Sequence, residues 1–173
     1  AVAIERKRSE DALRLSQERF ELVTRATSDA IWDWNLYSDE TWWNEGVSKL
    51  FGYSAEEMGN DIKFWRERLH PDDKERVIRD ISQHIDTGKA NWTDEYRFLR
   101  KNGTFAHVID RGYVVYDPET ELPIRMIGSM MDVTDRKVLE DQLTHQALHD
   151  PLTNIANRAL FSNRVDHALA KLP

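Results

Sequence analysis

Cysteine is absent from the 173 residues, which excludes a disulfide framework, a thiolate metal site and cysteinyl-flavin photochemistry. No stretch approaches the ~20 apolar residues of a membrane-spanning helix. The opening AVAIERKRSEDAL also lacks the apolar centre of a secretory leader. The expectation is a soluble, cytoplasmic piece, any membrane attachment of a parent protein lying outside it. Negative charge exceeds positive: 31 Asp and Glu against 24 Lys and Arg leave a net charge of -7, and the single basic cluster, Arg6-Lys7-Arg8, reads as a solvated helix face. Neither nucleic acid nor an anionic membrane is therefore an expected partner. The length suits one ordinary domain with extensions.

Glycine and proline are missing from Ile4 to Ala26, a stretch rich in Glu, Arg, Leu and Ala, so its composition predicts a helix. Leu13, Ser16, Phe20, Val23 and Thr27 follow four-three spacing, with Leu15 and Leu22 on an adjacent stripe. That seam is short for a coiled coil. It reads either as a helix covering its own domain or as half of a homodimer contact.

Strand patterns begin at Ala30, where Trp32, Trp34 and Leu36 alternate onto one face. The five predicted strands are Ala30–Leu36, Thr41–Asn44, Asn91–Arg100, Thr104–Tyr116 and Ile124–Val133. Between the second and third, Gly52 is placed as a left-handed helix stop, and Ser54 with Glu57 forms a capping pair. Pro71 opens a longer helix running to about Ile85. Asn102-Gly103 predicts a tight hairpin turn. A two-residue turn would pair Tyr96 with Ile109 and Asp94 with Arg111, whereas a bulged three-residue turn pairs Tyr96 with Val108. The first register is preferred because the second sets Asp94 against Asp110. After the last strand, Thr134 or Asp135 is placed to cap a new helix reaching about His149.

These residues resemble the Trp-rich variety of PAS domain, with its C-terminal PAC motif. The likeness rests on Trp32-x-Trp34, Trp43-Asn44, Leu50-Phe51-Gly52-Tyr53, His70-Pro71-Asp72-Asp73 and Asp132-x-Thr134 followed by Arg136-Lys137. It implies an α+β fold, a five-stranded antiparallel sheet with short helices on one face and further helices at both ends. Signal relay is then expected at Asp132, Thr134 and Asp135. A ligand pocket, where present, would be lined by Trp65, Trp92, Tyr96, Phe98, Ile109 and Met130, with Trp32 and Trp34 as further candidates, although aromatics in strands read more readily as ordinary core.

The segment Asp150 to Arg158, DPLTNIANR, resembles the start of a GGDEF domain, the diguanylate cyclase module, with Asn154, Ile155 and Ala156 where that family has Gly, Leu and Pro. The implied organisation is an N-terminal helix over 1–27, a PAS sensory domain over 28–135, a linker helix over 136–149 and a GGDEF fragment over 150–173. By the same resemblance, Asn157 and Asp166 would contact guanine in a complete cyclase. The signature loop of that enzyme is not in these residues, so no catalysis is expected of this piece; the parent would convert GTP to cyclic di-GMP. No metal site is expected, since His149-Asp150 has no matching ligand set. The expected function is a bacterial sensory module relaying a small-molecule or partner signal to a cyclase. The alternatives are a ligand-free dimerisation module, or a haem or flavin sensor in which His70 or His84 would be the candidate iron ligand. A helix-start role for His70 and a solvent-facing His84 are the simpler readings, and no cofactor is the expectation.

Overall fold

The computed structural model describes residues 27–148 continuously, together with 6, 7, 11, 12, 14–19, 22, 24, 155 and 157. Two compact units divide the chain, Ala1–Asp132 and Val133–Pro173.

In the first unit, β1 (Ala30–Asn35) and β2 (Thr41–Trp43) are followed by four helices: α1 (Gly46–Phe51), α2 (Ala55–Met58), α3 (Lys63–Arg68) and α4 (Pro71–Asp86). Then come β3 (Asn91–Leu99), β4 (Phe105–Tyr116) and β5 (Pro123–Asp132). All pairings are antiparallel, in the order β2-β1-β5-β4-β3. The last three strands are a meander, and β1 closes against β5, so the latest strand sits in the centre. One face of the sheet and the four helices enclose a single core rich in aromatic side chains, with Phe51, Phe98, Met126 and Met130 fully buried.

Local chemistry accounts for the helix boundaries. Gly52 ends α1 at a φ of 83°, a conformation with no steric penalty for glycine. Ser54 and Glu57 satisfy each other's backbone amides at the start of α2. Pro71 opens α4, and the His70 ring nitrogen accepts the Asp72 amide, so His70 is a helix-start residue as expected.

The hairpin register corrects the sequence-based preference. Tyr96 pairs with Val108 and Asp94 with Asp110. Asn102-Gly103 does not form a two-residue turn: Gly103 alone takes positive φ, at 86°, and its amide bonds the Arg100 carbonyl while Arg100 bonds Thr104. This is a three-residue loop with a bulge. The opposed aspartates are tolerated because each charge is handled separately. Arg76 donates to both Asp94 oxygens at 2.7 and 2.8 Å, and Asp110 turns into the core onto neutral donors.

The second unit begins with α5 (Thr134–Leu148). Thr134 is therefore already helical, and the cap position expected at Thr134 or Asp135 falls on Val133, whose carbonyl accepts from Lys137. Near the amino terminus, residues 6, 7, 11, 12, 14–19, 22 and 24 are helical, with Leu15 and Leu22 exposed. Leu13, Phe20 and Val23 lie outside the described residues, as do His149, Asp150 and Asp166.

Candidate functional site

Asp110 of β4 is the polar centre of the core, 2% exposed, and its hydrogen-bond network joins four elements, β4 included. Trp32 of β1 donates Nε1–H to Oδ1 at 2.8 Å. Tyr96 of β3 donates its hydroxyl to Oδ2 at 2.6 Å. Trp65 of α3 then donates its indole N–H to the Tyr96 oxygen at 2.7 Å. The result is a continuous hydrogen-bonded chain from helix to sheet, in which each buried polar atom named has a partner.

Strand order makes the Trp32 contact demanding, because β5 lies between β1 and β4. Trp32, Gly128 and Gly112 stand side by side across the three strands. With no side chain on either glycine, the indole can lie across β5 and reach Asp110. A Cβ at Gly128 would collide with the Arg111 carbonyl and the indole, and one at Gly112 with Met126 and the indole.

Burial pushes the Asp110 carboxyl up to about 7, against the bonds from Tyr96 and Trp32 that favour its charged form; the Asp94 charge opposite adds to the rise. Burial likewise drives the Tyr96 hydroxyl well above its ordinary range, and the neighbouring Asp110 carboxylate reinforces that shift. Tyr96 thus acts as a fixed donor, while Asp110 stands near its own titration point.

Beside this network is an internal cavity of about 10 Å³, lined by Trp32, Trp34, Trp43 and Trp65 with Ile62, Ile81 and Asp110. Of the residues expected to line a pocket, Trp32, Trp34 and Trp65 border it. Tyr96 reaches it through Trp65, whereas Trp92, Phe98 and Met130 belong to the surrounding core. Trp92 anchors α4 by donating to Asp80 at 2.8 Å. Ile109 corrects the expectation: it pairs with Glu95 and Met131 on the opposite face of the sheet, a direct consequence of the one-residue shift in register. Asp110 itself went unrecognised. Its sequence signal was an aspartate at an inward position of the strand between Val108, Gly112 and Val114.

Among the other singled-out residues, Asp132 accepts from Arg100 at 2.6 Å, and Thr134 and Asp135 occupy the first turn of α5. His84 is not simply solvent-facing: its Nε2 is buried without a partner. Asn157 reaches back to the end of α5, its amide bonding the Leu148 carbonyl and its side chain that of Ala147. Among the described residues, no three His, Asp or Glu side chains gather as metal ligands, and no helix is long and apolar enough to cross a membrane.

A five-stranded antiparallel sheet in this order, with its helices on one face around a shared interior, defines a sensory-type α+β domain. The chain belongs to the PAS family, the PAS fold matching residues 40–130. It is similar to a sensory box histidine kinase/response regulator from Burkholderia thailandensis, at 33% identity over 73% of this chain and 92% of that one, with a TM-score of 0.61. It also resembles the probable diguanylate cyclase DgcE of Escherichia coli, 29% identical over 87% of this chain and 14% of that protein. The hybrid signal transduction histidine kinase A of Dictyostelium discoideum is 32% identical over 50% of this chain and 4% of its own length. The chain spans about a fifth or less of the curated relatives it matches.

Proposed function

We propose that this PAS domain receives a signal in its core and passes it through β5 to α5, and from there to a diguanylate cyclase in the parent protein. The observation that carries this reading is the path of the chain. The central strand β5 ends at Asp132 and the helix starts at Thr134, one residue later. Displacement of the strand end therefore acts on the first turn of the helix. The cyclase as output is supported by the DPLTNIANR segment and by the similarity to DgcE.

A change at Asp110 has a route to β5 through β4, since Asp110 pairs with Met130 and Val108 with Asp132. If Asp132 and Thr134 form the joint, the double substitution Asp132→Ala, Thr134→Ala loosens it. Amide exchange across residues 136–146 is then expected to quicken on the order of tenfold, one step of local opening free energy. Unchanged exchange removes these residues from the relay.

A homodimer is part of the proposal, because a cyclase joins two GTP molecules held by two subunits. It is supported by Val138, Leu139 and Leu143, which are 49%, 55% and 57% exposed on α5; Leu139 and Leu143 are one turn apart. Sedimentation is expected to show a dimer that Leu139→Glu, Leu143→Glu weakens at least about tenfold, roughly 1.4 kcal/mol. A monomeric wild type, or an unaffected dimer, refutes this contact.

A further inference from the structure

Two hollows meet at Trp43. Outside, a groove of about 690 Å³ follows the β2 edge past Asp33, Trp42, Met58 and Arg125. Inside is the cavity walled by four tryptophans and Asp110. Trp43 lines both. It is half-buried on an edge strand of three residues, and its indole Nε1 is buried without a hydrogen-bond partner.

The cavity has an unusual charge balance. Its one ionisable wall is Asp110, whose side chain accepts from the neutral groups of Trp32 and Tyr96 and, among the described residues, forms no ion pair with a cationic side chain. A buried carboxylate without a countercharge is costly. Tryptophan rings attract cations more strongly than any other side-chain ring. In its ionised form Asp110 would repel an anion and be left uncompensated by a neutral guest.

We propose that this cavity binds a small alkylammonium cation, its charge beside Asp110 and its carbons among the tryptophan rings, with Trp43 as the gate to the outer groove. This rests on the sensory reading above and names the class of its signal. At its present size the cavity holds about one water molecule, which is the size of an ammonium head group. A methyl group is accommodated when the Trp43 ring swings outward and joins the two hollows. At neutral pH the Asp110 carboxyl stands near its titration point, and a cation beside it would hold it ionised.

Calorimetry of the 173-residue chain with methylammonium chloride tests the site, with sodium chloride at equal ionic strength and methanol as a neutral molecule of similar size. The expected result is saturation with a Kd on the order of 1 mM, absent with either control. Asp110→Asn should weaken binding at least about tenfold. Should that variant fail to fold, the wild type remains decisive. In nitrogen-15 spectra, methylammonium should move the Trp32 and Trp43 indole N–H signals and spare that of Trp92, which is bonded to Asp80 away from the cavity. No saturation, equal binding of methanol, binding indifferent to Asp110→Asn, or unmoved Trp32 and Trp43 signals each overturns the proposal. The relay is judged separately by exchange in α5. Failed binding with a positive exchange result rejects only the ligand class, and the reverse rejects only the relay.

Discussion

Urea denaturation is expected to show stability falling by about 4 kcal/mol as pH rises from about 4 to about 8, with Asp110 as the group responsible. Its carboxyl has an ordinary value of 3.8 and is raised to about 7 in the fold. Between those values the folded chain holds a proton that the unfolded chain has released. Raising the pH through that window therefore favours unfolding, and the gap of about three pH decades corresponds to about 4 kcal/mol. Above about pH 7 both states are ionised, so this loss is complete. Asp73 acts in the opposite sense on the acid side: hydrogen bonds from Arg97 hold it down to about 2, and its contribution is lost as pH falls from about 4 toward 2. Stability should therefore peak near pH 4, where the gain from Asp73 is nearly complete and the loss from Asp110 begins. Asp110→Asn, which cannot ionise, should flatten the neutral limb. An equally steep fall in that variant would assign the effect to another group.

Gly128→Ala is expected to cost about 3 kcal/mol or more, at the upper end of overpacking penalties. The added methyl would meet the Arg111 carbonyl, which belongs to the neighbouring strand's ladder, and the Trp32 indole. Neither can move without breaking β4–β5 pairing or withdrawing Trp32 from Asp110. Gly112→Ala should be milder, about 1–2 kcal/mol, because its closest obstacle is the terminal methyl of Met126, the end of a flexible chain. Denaturant midpoints give the ordering. The Trp32 indole N–H resonance should shift in Gly128→Ala more than in Gly112→Ala. Equal and small effects would mean that the indole does not lie across the glycines.

Period-two alternation at Trp32 and Trp34, the Gly52 stop, the Ser54–Glu57 cap and Pro71 all act over a few residues, and each is legible in the sequence. The five strands emerged within about two residues of their expected ends. The Asn102-Gly103 turn was legible as a turn, but its type was not. Two loop lengths differ by one residue in the chain yet reverse every side chain beyond the turn. Weighing Asp94 against Asp110 as a simple like-charge pair favours the wrong one, because Arg76 and Trp32 come from elements outside the hairpin and the Tyr96 hydroxyl meets Asp110 only in the observed register.

The candidate site shows the same division. Tryptophan count and spacing announced an aromatic core, and the Asp132-x-Thr134 junction announced a strand running into a helix. Both are properties of contiguous residues, whose geometry follows from local backbone preference. That Trp32 crosses β5 to Asp110, that two glycines in different strands make room for it, and that Trp43 lines both a cavity and a groove depend on pairing and packing between separate strands. Residues 32 and 110 lie 78 positions apart, and no local periodicity carries their distance. Only packing of the assembled sheet against its helices decided that this carboxylate would be buried, what would hold it, and hence its charge.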